Sequence, residues 1–223
     1  VASEISSARN EGLDADMLQN SENEIQYTLG VLMARYNEEK KILGAVDFDD
    51  LIELPLKLLN EHPNVHAQLR KRWRYALVDE YQDTNTLQFE FLSKLMGSDG
   101  NLCVVGDDDQ SIYGWRGADQ RNILEFEKQF PRCQALYLTA NYRCKKPILD
   151  AANQLIAHNR YRKEKVLKAA RGDGAPVRLQ VFADNELEAE VVVQEIARLQ
   201  RAGTRLDQMA ILIRRSAQAP LFE

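Results

Sequence analysis

Two apolar runs, each ending abruptly in acid, constrain this chain more than any other feature. "RYALVDE" (74–80) closes on Asp79 and Glu80, and "NLCVVGD" (101–107) closes on Gly106 and Asp107. Between them, "TNTLQFEFLSKLMG" (84–97) places Leu87, Phe91, Leu92 and Leu95 on one helical face, with Gly97 able to end the helix. Strand, helix, strand over so short a span is a βαβ unit, so the two strands are expected to be parallel and buried. Ligands of such sheets gather at the carboxyl ends of the strands. The spacing therefore predicts that the Asp79–Glu80 and Gly106–Asp107 tips are neighbours in space.

The rest of the chain extends the same alternation. Residues 1–23 read as a short helix and a loose linker. Glu24–Leu43 reads as a helix with Ile25, Leu29, Leu32, Met33 and Tyr36 at helical spacing. "DFDDLIELPLKLLNEH" (47–62) reads as a helix opened by Asp47 or Asp49 and broken or kinked at Pro55. A helix near 119–129 follows the second strand. Further strands are expected at 134–141, 177–183 and 208–214. Helices are expected at 146–159, with Pro147 in its first turn and Ile148, Ala152, Leu155 and Ile156 facing inward, and at 185–203. The fold class is α/β: parallel sheet flanked by helices.

Composition narrows the function classes. Of 223 residues, 44% are hydrophobic and 28% charged, a globular balance. No stretch approaches a membrane span, and no basic-then-apolar leader opens the chain. Cys103, Cys133 and Cys144 lie far apart, which speaks against a disulfide scaffold or zinc site and for a reducing, cytoplasmic setting. The formal net charge of −5 is not a nucleic-acid footprint, but local clusters exist at 70–74, 143–146 and 160–165. Each reads equally as a solvated helix face. A first residue Val1 and an ending in "APLFE" suggest a piece of something longer.

Three stretches carry chemistry. In "LVDEYQDTN" (77–85), Asp79 at a strand tip suits Mg²⁺ beside a nucleotide's phosphates, and Glu80 suits a general base for the attacking water. The same acids also suit a turn, with Asp83 or Thr84 capping the next helix. In "VVGDDDQSIYGWRGAD" (104–119), Gln110 precedes Tyr113, Trp115 and Arg116. Rings interleaved with Arg form a stacking platform for single strands, or else a loop pinned to the core. In "LTANYRCKKP" (138–147), Tyr142 and Arg143 follow a strand. An Arg there can act as a finger on a transferring phosphoryl group, or be a surface charge.

Together, in this order, the three stretches resemble motifs II, III and IV of the superfamily 1 DNA helicases of the UvrD/Rep/PcrA type. "DFDDLI" (47–52) and "MAILIRRSAQ" (209–218) also resemble segments of that family. The resemblance implies RecA-like motor domains of the P-loop NTPase class: 1–46 as the end of a helical accessory subdomain, 47–140 as the second part of the first motor domain, and 141–223 as the start of the second. It implies an enzyme that uses ATP and Mg²⁺ to move along single-stranded DNA and open duplexes at single-strand/duplex junctions, in replication, repair or recombination, with proteins of those pathways as possible partners. Asp79 and Glu80 would hold the metal, with Glu80 also the general base. Gln110 would sense the γ-phosphate. Tyr142 would stack on adenine, and Arg143 would reach the γ-phosphate. Tyr113, Trp115 and Arg116 would contact single-stranded DNA.

Departures from the family pattern are also clear. No G-x-x-x-x-G-K-[ST] phosphate cradle occurs in the 223 residues, so the chain by itself is expected to bind ATP weakly and hydrolyse essentially none. Gly114 and Cys144 replace residues common in the family. A helicase–nuclease subunit, a non-catalytic DNA-binding or partner-docking module, and another P-loop ATPase are the rival readings. The Tyr113/Trp115 loop disfavours the last.

Overall fold

Three helices open the computed structural model, which describes residues 1–223: α1 (Ala2–Asn10), α2 (Ala15–Gln19) and α3 (Glu24–Leu43). Asp14 caps α2 by accepting the Met17 N–H, and Asn23 caps α3 by accepting from Ile25 and Gln26. Gly44, at φ 60°, ends α3 in the left-handed region. Helices α2 and α3 cross closely because residue 30 is glycine: a Cβ there would stand 2.8 Å from the Gln19 nitrogen. Ile5, Ala8, Leu18 and Met33 form the small core beneath them. Of the expected inner face of α3, Met33 is buried, but Ile25, Leu32 and Tyr36 are exposed. A core made by two short helices covers only one narrow strip of a long one.

An ion network ties this unit to α4 (Asp50–Glu61). Arg9, only 5% exposed, donates to Asp47 (2.9 Å), Asp50 (2.5 Å) and Glu53 (2.7 Å). Lys40 donates to both Asp47 and Asp50 at 2.8 Å. Asp47 and Asp50 also accept each other's backbone N–H, so Asp47 opens the helix without standing at its cap. Burial opposes ionisation of Asp47, but Lys40, the Asp50 amide, Tyr36 and Arg9 outweigh it and hold its carboxyl well below the usual range. Pro55 lies inside α4 without ending it, and Leu56 and Leu59, on one face of the following turn, are both buried.

Helix α5 (Pro63–Arg72) leads into β1 (Tyr75–Val78), α6 (Thr86–Met96) and β2 (Asn101–Val104). The strands pair in parallel, Tyr75 opposite Asn101 and Val78 opposite Val104, as the βαβ reading requires. Leu59, Leu95 and Met96 form a core against Ala76, Phe91 and Leu102. The other sheet face is bare: Tyr75, Leu77 and Cys103 are exposed. The strands are therefore half-buried rather than buried, since α4, α5 and α6 supply apolar side chains to one face alone.

Past β2 come α7 (Arg121–Leu124) and α8 (Phe126–Gln129), then β3 (Ala140–Asn141), α9 (Lys146–Ile156), β4 (Lys168–Ala169) and α10 (Asn185–Arg201). Strands β3 and β4 form a second parallel pair. The expected strands at 177–183 and 208–214 do not form, and only the last two residues of 134–141 pair. Leu138, Leu179 and Leu212 are almost fully exposed. A strand exists only where a neighbour takes its backbone hydrogen bonds, and these runs have none beside them. Helix α9 likewise buries Leu149 while Ile148, Ala152 and Leu155 face out. The accessible surface is 17163 Å², against about 10,400 Å² for a folded monomer of this size. No helix is long and apolar enough to cross a membrane.

Candidate functional site

The two strand exits stay joined beyond the sheet. Val105 donates to the Val78 carbonyl at 2.8 Å, and Tyr81 donates to the Val105 carbonyl at 3.0 Å. Asp79–Glu80 and Gly106–Asp107 are therefore neighbours, as the spacing predicts.

Glu80 takes φ 50°, ψ 41°, the left-handed region, and no other non-glycine residue has a positive φ. Such a conformation is strained by about 1–3 kcal/mol and persists only where its surroundings enforce it. Asp79 Oδ1 accepts the Glu80 N–H at 3.0 Å, and Gln82 Nε2 donates to Glu80 Oε2 at 2.7 Å. Gln82 is 1% exposed and works in both directions: its Oε1 accepts the Asp107 N–H at 3.0 Å, and its carbonyl accepts the Ser111 hydroxyl at 3.1 Å. One buried amide thus straps the acidic turn to the loop after β2. Gly106 makes this possible, because a Cβ there would lie 2.6 Å from Gln82 Oε1. Gln82 carries no charge and no periodicity, so sequence reasoning passed over it. Its place between two acids was the only signal.

Next to it, Tyr81 is fully buried and meets the Phe126 ring edge-on at 5.5 Å. Its hydroxyl has no partner, and burial pushes its pKa up to about 12. Asn85, not Asp83 or Thr84, caps α6 and forms a reciprocal capping box with Gln88. The correction has a simple cause: Tyr81–Asp83 form a short 3₁₀ turn, which shifts the helix start to Thr86.

Asp79 and Glu80 are exposed and line a cleft of about 360 Å³ with Asp83, Thr84 and Gln88. Asp83 Oδ1 is buried there without a hydrogen-bond partner. The single hydrogen bond of the Asp79 side chain is to its neighbour's amide, which leaves oxygen donors free. That donor set fits a hard cation such as Mg²⁺. A second acidic group, Asp107–Asp109, has its oxygens within 4.8 Å of one another but does not fit one. The Lys165 ammonium already stands among them, 2.8 Å from Asp107 and 3.1 Å from Asp109.

The loop then turns toward its aromatic end. Asp107 Oδ2 accepts from Gln110 Nε2 at 2.8 Å and so orients that side chain. A 3₁₀ turn at Gly114–Arg116, closed by Gly117 at φ 85°, presents Trp115 at 74% exposure. The Arg116 guanidinium lies 4.5 Å from the Trp115 ring centre and 5.4 Å from that of Tyr113. The three form one contiguous surface patch, the two rings tilted by 51°, and the rings do not pin the loop to the core.

Tyr142 and Arg143 follow β3, where Asn141 Oδ1 accepts the Arg143 and Cys144 N–H groups. Both side chains are exposed. Neither forms a hydrogen bond or ion pair with Asp79, Glu80 or Gln110, so the structure gathers the first two stretches and leaves the third apart.

Comparison with known proteins gives a consistent result. The family described as UvrD/REP helicase N-terminal domain matches residues 1–131, and that described as UvrD-like helicase C-terminal domain matches residues 136–223. The chain is 45% identical over 179 residues to the ATP-dependent DNA helicase PcrA of Staphylococcus epidermidis, covering 80% of this chain and 25% of that protein. The PcrA of Staphylococcus aureus strain Mu50 is also 45% identical over 179 residues, 24% of its length. The chain thus spans about a quarter of the curated relatives it matches.

Proposed function

Because the chain belongs to the UvrD/Rep helicase family, we propose that it serves within a longer ATP-dependent DNA helicase that moves along single-stranded DNA and opens duplexes at junctions, in replication, repair or recombination. One observation carries this reading: residues 106–117 form a single loop that starts at the paired carboxylates and ends in an exposed arginine–aromatic patch. A nucleotide site and a base-stacking site then share one backbone segment.

Asp79 would hold Mg²⁺, with Glu80 beside it, and the bound ion would neutralise charge on the ATP phosphates. Glu80 keeps one carboxylate oxygen on Gln82 and has the other free to accept a proton from water. Gln110, held through Asp107, would turn its amide to the γ-phosphate. Tyr142 and Arg143 would reach the adenine and the γ-phosphate as the two units close. Tyr113, Trp115 and Arg116 would stack and neutralise the DNA strand. Movement of Gln110 on hydrolysis would then shift the patch a few residues away, which couples chemistry to stepping.

Binding of a labelled single-stranded oligonucleotide to the 223-residue chain tests the DNA half. A stacked base is worth about 1–3 kcal/mol, so Trp115→Ala should weaken binding about 5- to 150-fold; unchanged affinity would overturn the assignment. In the longer protein, Glu80→Gln should abolish hydrolysis and Gln110→Ala should uncouple it from unwinding. ATPase activity of the 223-residue chain that Glu80→Gln abolishes would contradict the expectation that the chain alone is inactive. The large exposed surface, 17163 Å², favours a second reading for the isolated chain alone: a non-catalytic DNA-binding or docking module.

A further inference from the structure

The basic cluster at 160–165 has no part in the function above, and it differs from the other two clusters. In those, Arg70 pairs with surface Asp99 and Lys146 with Asp150 one turn along its own helix. Here the partners are the acids of the loop after β2, more than fifty residues earlier. Arg162 donates as a fork to Asp109, Nε at 2.9 Å and a terminal nitrogen at 2.8 Å, and both side chains are largely buried. Lys165 reaches Asp107 and Asp109 and also pairs with Asp108. The Lys163 N–H donates to Asp108 at 2.8 Å, and its ammonium pairs with Glu127.

These contacts join residues matched by the N-terminal family description to residues matched by the C-terminal one. They also converge on a functional side chain. Asp107 holds Gln110 at 2.8 Å with one oxygen and meets Lys165 with the other. Lys165 lies three residues before β4, which pairs with β3, and β3 runs into Tyr142 and Arg143. Without a cation among them, three carboxylates within 4.8 Å would repel one another, and Asp107 would leave its place beside Gln110.

We propose that Arg162 and Lys165 form an electrostatic latch between the two units and act as positioning residues. They hold Asp107 against Gln110 and set where Arg143 stands relative to Asp79 and Glu80. The catalytic consequence rests on the function proposed above; the latch itself does not.

Hydrogen–deuterium exchange of the 223-residue chain tests it without nucleotide or DNA. Lys165→Met and Arg162→Met should each speed exchange in residues 107–111 and 161–166 at least tenfold and leave 75–78 and 86–96 unchanged. Lys165→Arg should preserve protection. The swap of Arg162→Asp with Asp109→Arg should restore what either single change loses, which also covers a variant that loosens the whole chain. The Gln110 side-chain amide resonance should move in Lys165→Met and stay in Lys165→Arg. Unchanged loop exchange and an unmoved Gln110 resonance in both Met variants, or a swap that restores nothing, would overturn the latch. Failure of Gln110→Ala to affect unwinding would instead count against the nucleotide reading and leave the latch standing.

Discussion

Replacing Gly106 with alanine adds one methyl group at the point where the two strand exits meet. Gly106 does not have a positive φ, so the backbone accepts alanine and the whole effect is steric. The new Cβ would stand 2.6 Å from Gln82 Oε1, 2.8 Å from Ile123 Cδ1 and 3.2 Å from the Gln82 nitrogen. Ile123 presents the end of a flexible side chain and can turn away. Gln82 cannot: it is buried, its Nε2 is bonded to Glu80, and its Oε1 is bonded to the Asp107 N–H. Overpacking of this kind destabilises by about 1–3 kcal/mol, and a displaced amide adds about 1–3 kcal/mol for the buried donor it abandons. A loss of about 2–6 kcal/mol follows. Amide exchange at Asp107 and Tyr81, compared between the wild-type chain and Gly106→Ala, should accelerate by about 30-fold or more. Gly114→Ala is the internal control, since its Cβ would meet nothing within 4 Å; it should stay within about 0.5 kcal/mol. If Gly106→Ala exchanges like the wild type, the strap through Gln82 is not what holds the loop.

Other consequences follow from buried groups. Arg9→Met leaves Glu53 without its cation and Asp47 and Asp50 with Lys40 alone. Breaking one side of such a network costs about 3–5 kcal/mol, and protease should then cut between α3 and α4 where it spares the wild type. Tyr81→Phe removes a buried hydroxyl that has no partner, so it should leave stability at neutral pH unchanged or raise it by up to about 3 kcal/mol. Folding raises the pKa of this tyrosine from its ordinary value near 10 to about 12. Its contribution is therefore fully present below about pH 10 and lost as pH rises toward 12, and urea midpoints should fall over that window in the wild type but not in Tyr81→Phe. Asp47 has the opposite sign. Its folded pKa is depressed, so its contribution is present above about pH 4 and lost on further acidification; Asp47→Asn should flatten that acid limb.

The sequence was most legible where the signal is local. Helix α3 ends at Gly44 and begins after Asn23 because those residues satisfy its own ends, and its bounds match the expectation from periodicity. The β1–α6–β2 unit was legible for the same reason, as each apolar run lies beside its partner in the chain. The runs at 177–183 and 208–214 look equally strand-like by pattern, but their backbone partners must come from elsewhere, and none stands beside them. The buried face of α9 is not legible in this way, because periodicity names a stripe without naming what covers it. In the candidate site, charged and aromatic residues stood out, Asp79, Glu80, Tyr113, Trp115 and Arg116, and Gln110 was marked only by the family resemblance. Gln82 did not stand out, since a neutral amide gains its importance only from the two groups it bridges. The cluster at 160–165 was visible as charge, while its partners at 107–109 became visible only in three dimensions.

That last separation has a consequence for how the chain is made. Between Asp107 and Lys165 a ribosome must add 58 residues, which takes about 3–12 s at 5–20 residues per second. For that interval the acidic loop has emerged and its cations have not. The β1–α6–β2 unit, being local, has time to form alone, but the loop that carries Gln110 and Trp115 waits in its charged, unpaired state. Its final geometry is a late event in synthesis, timed by the arrival of Lys165.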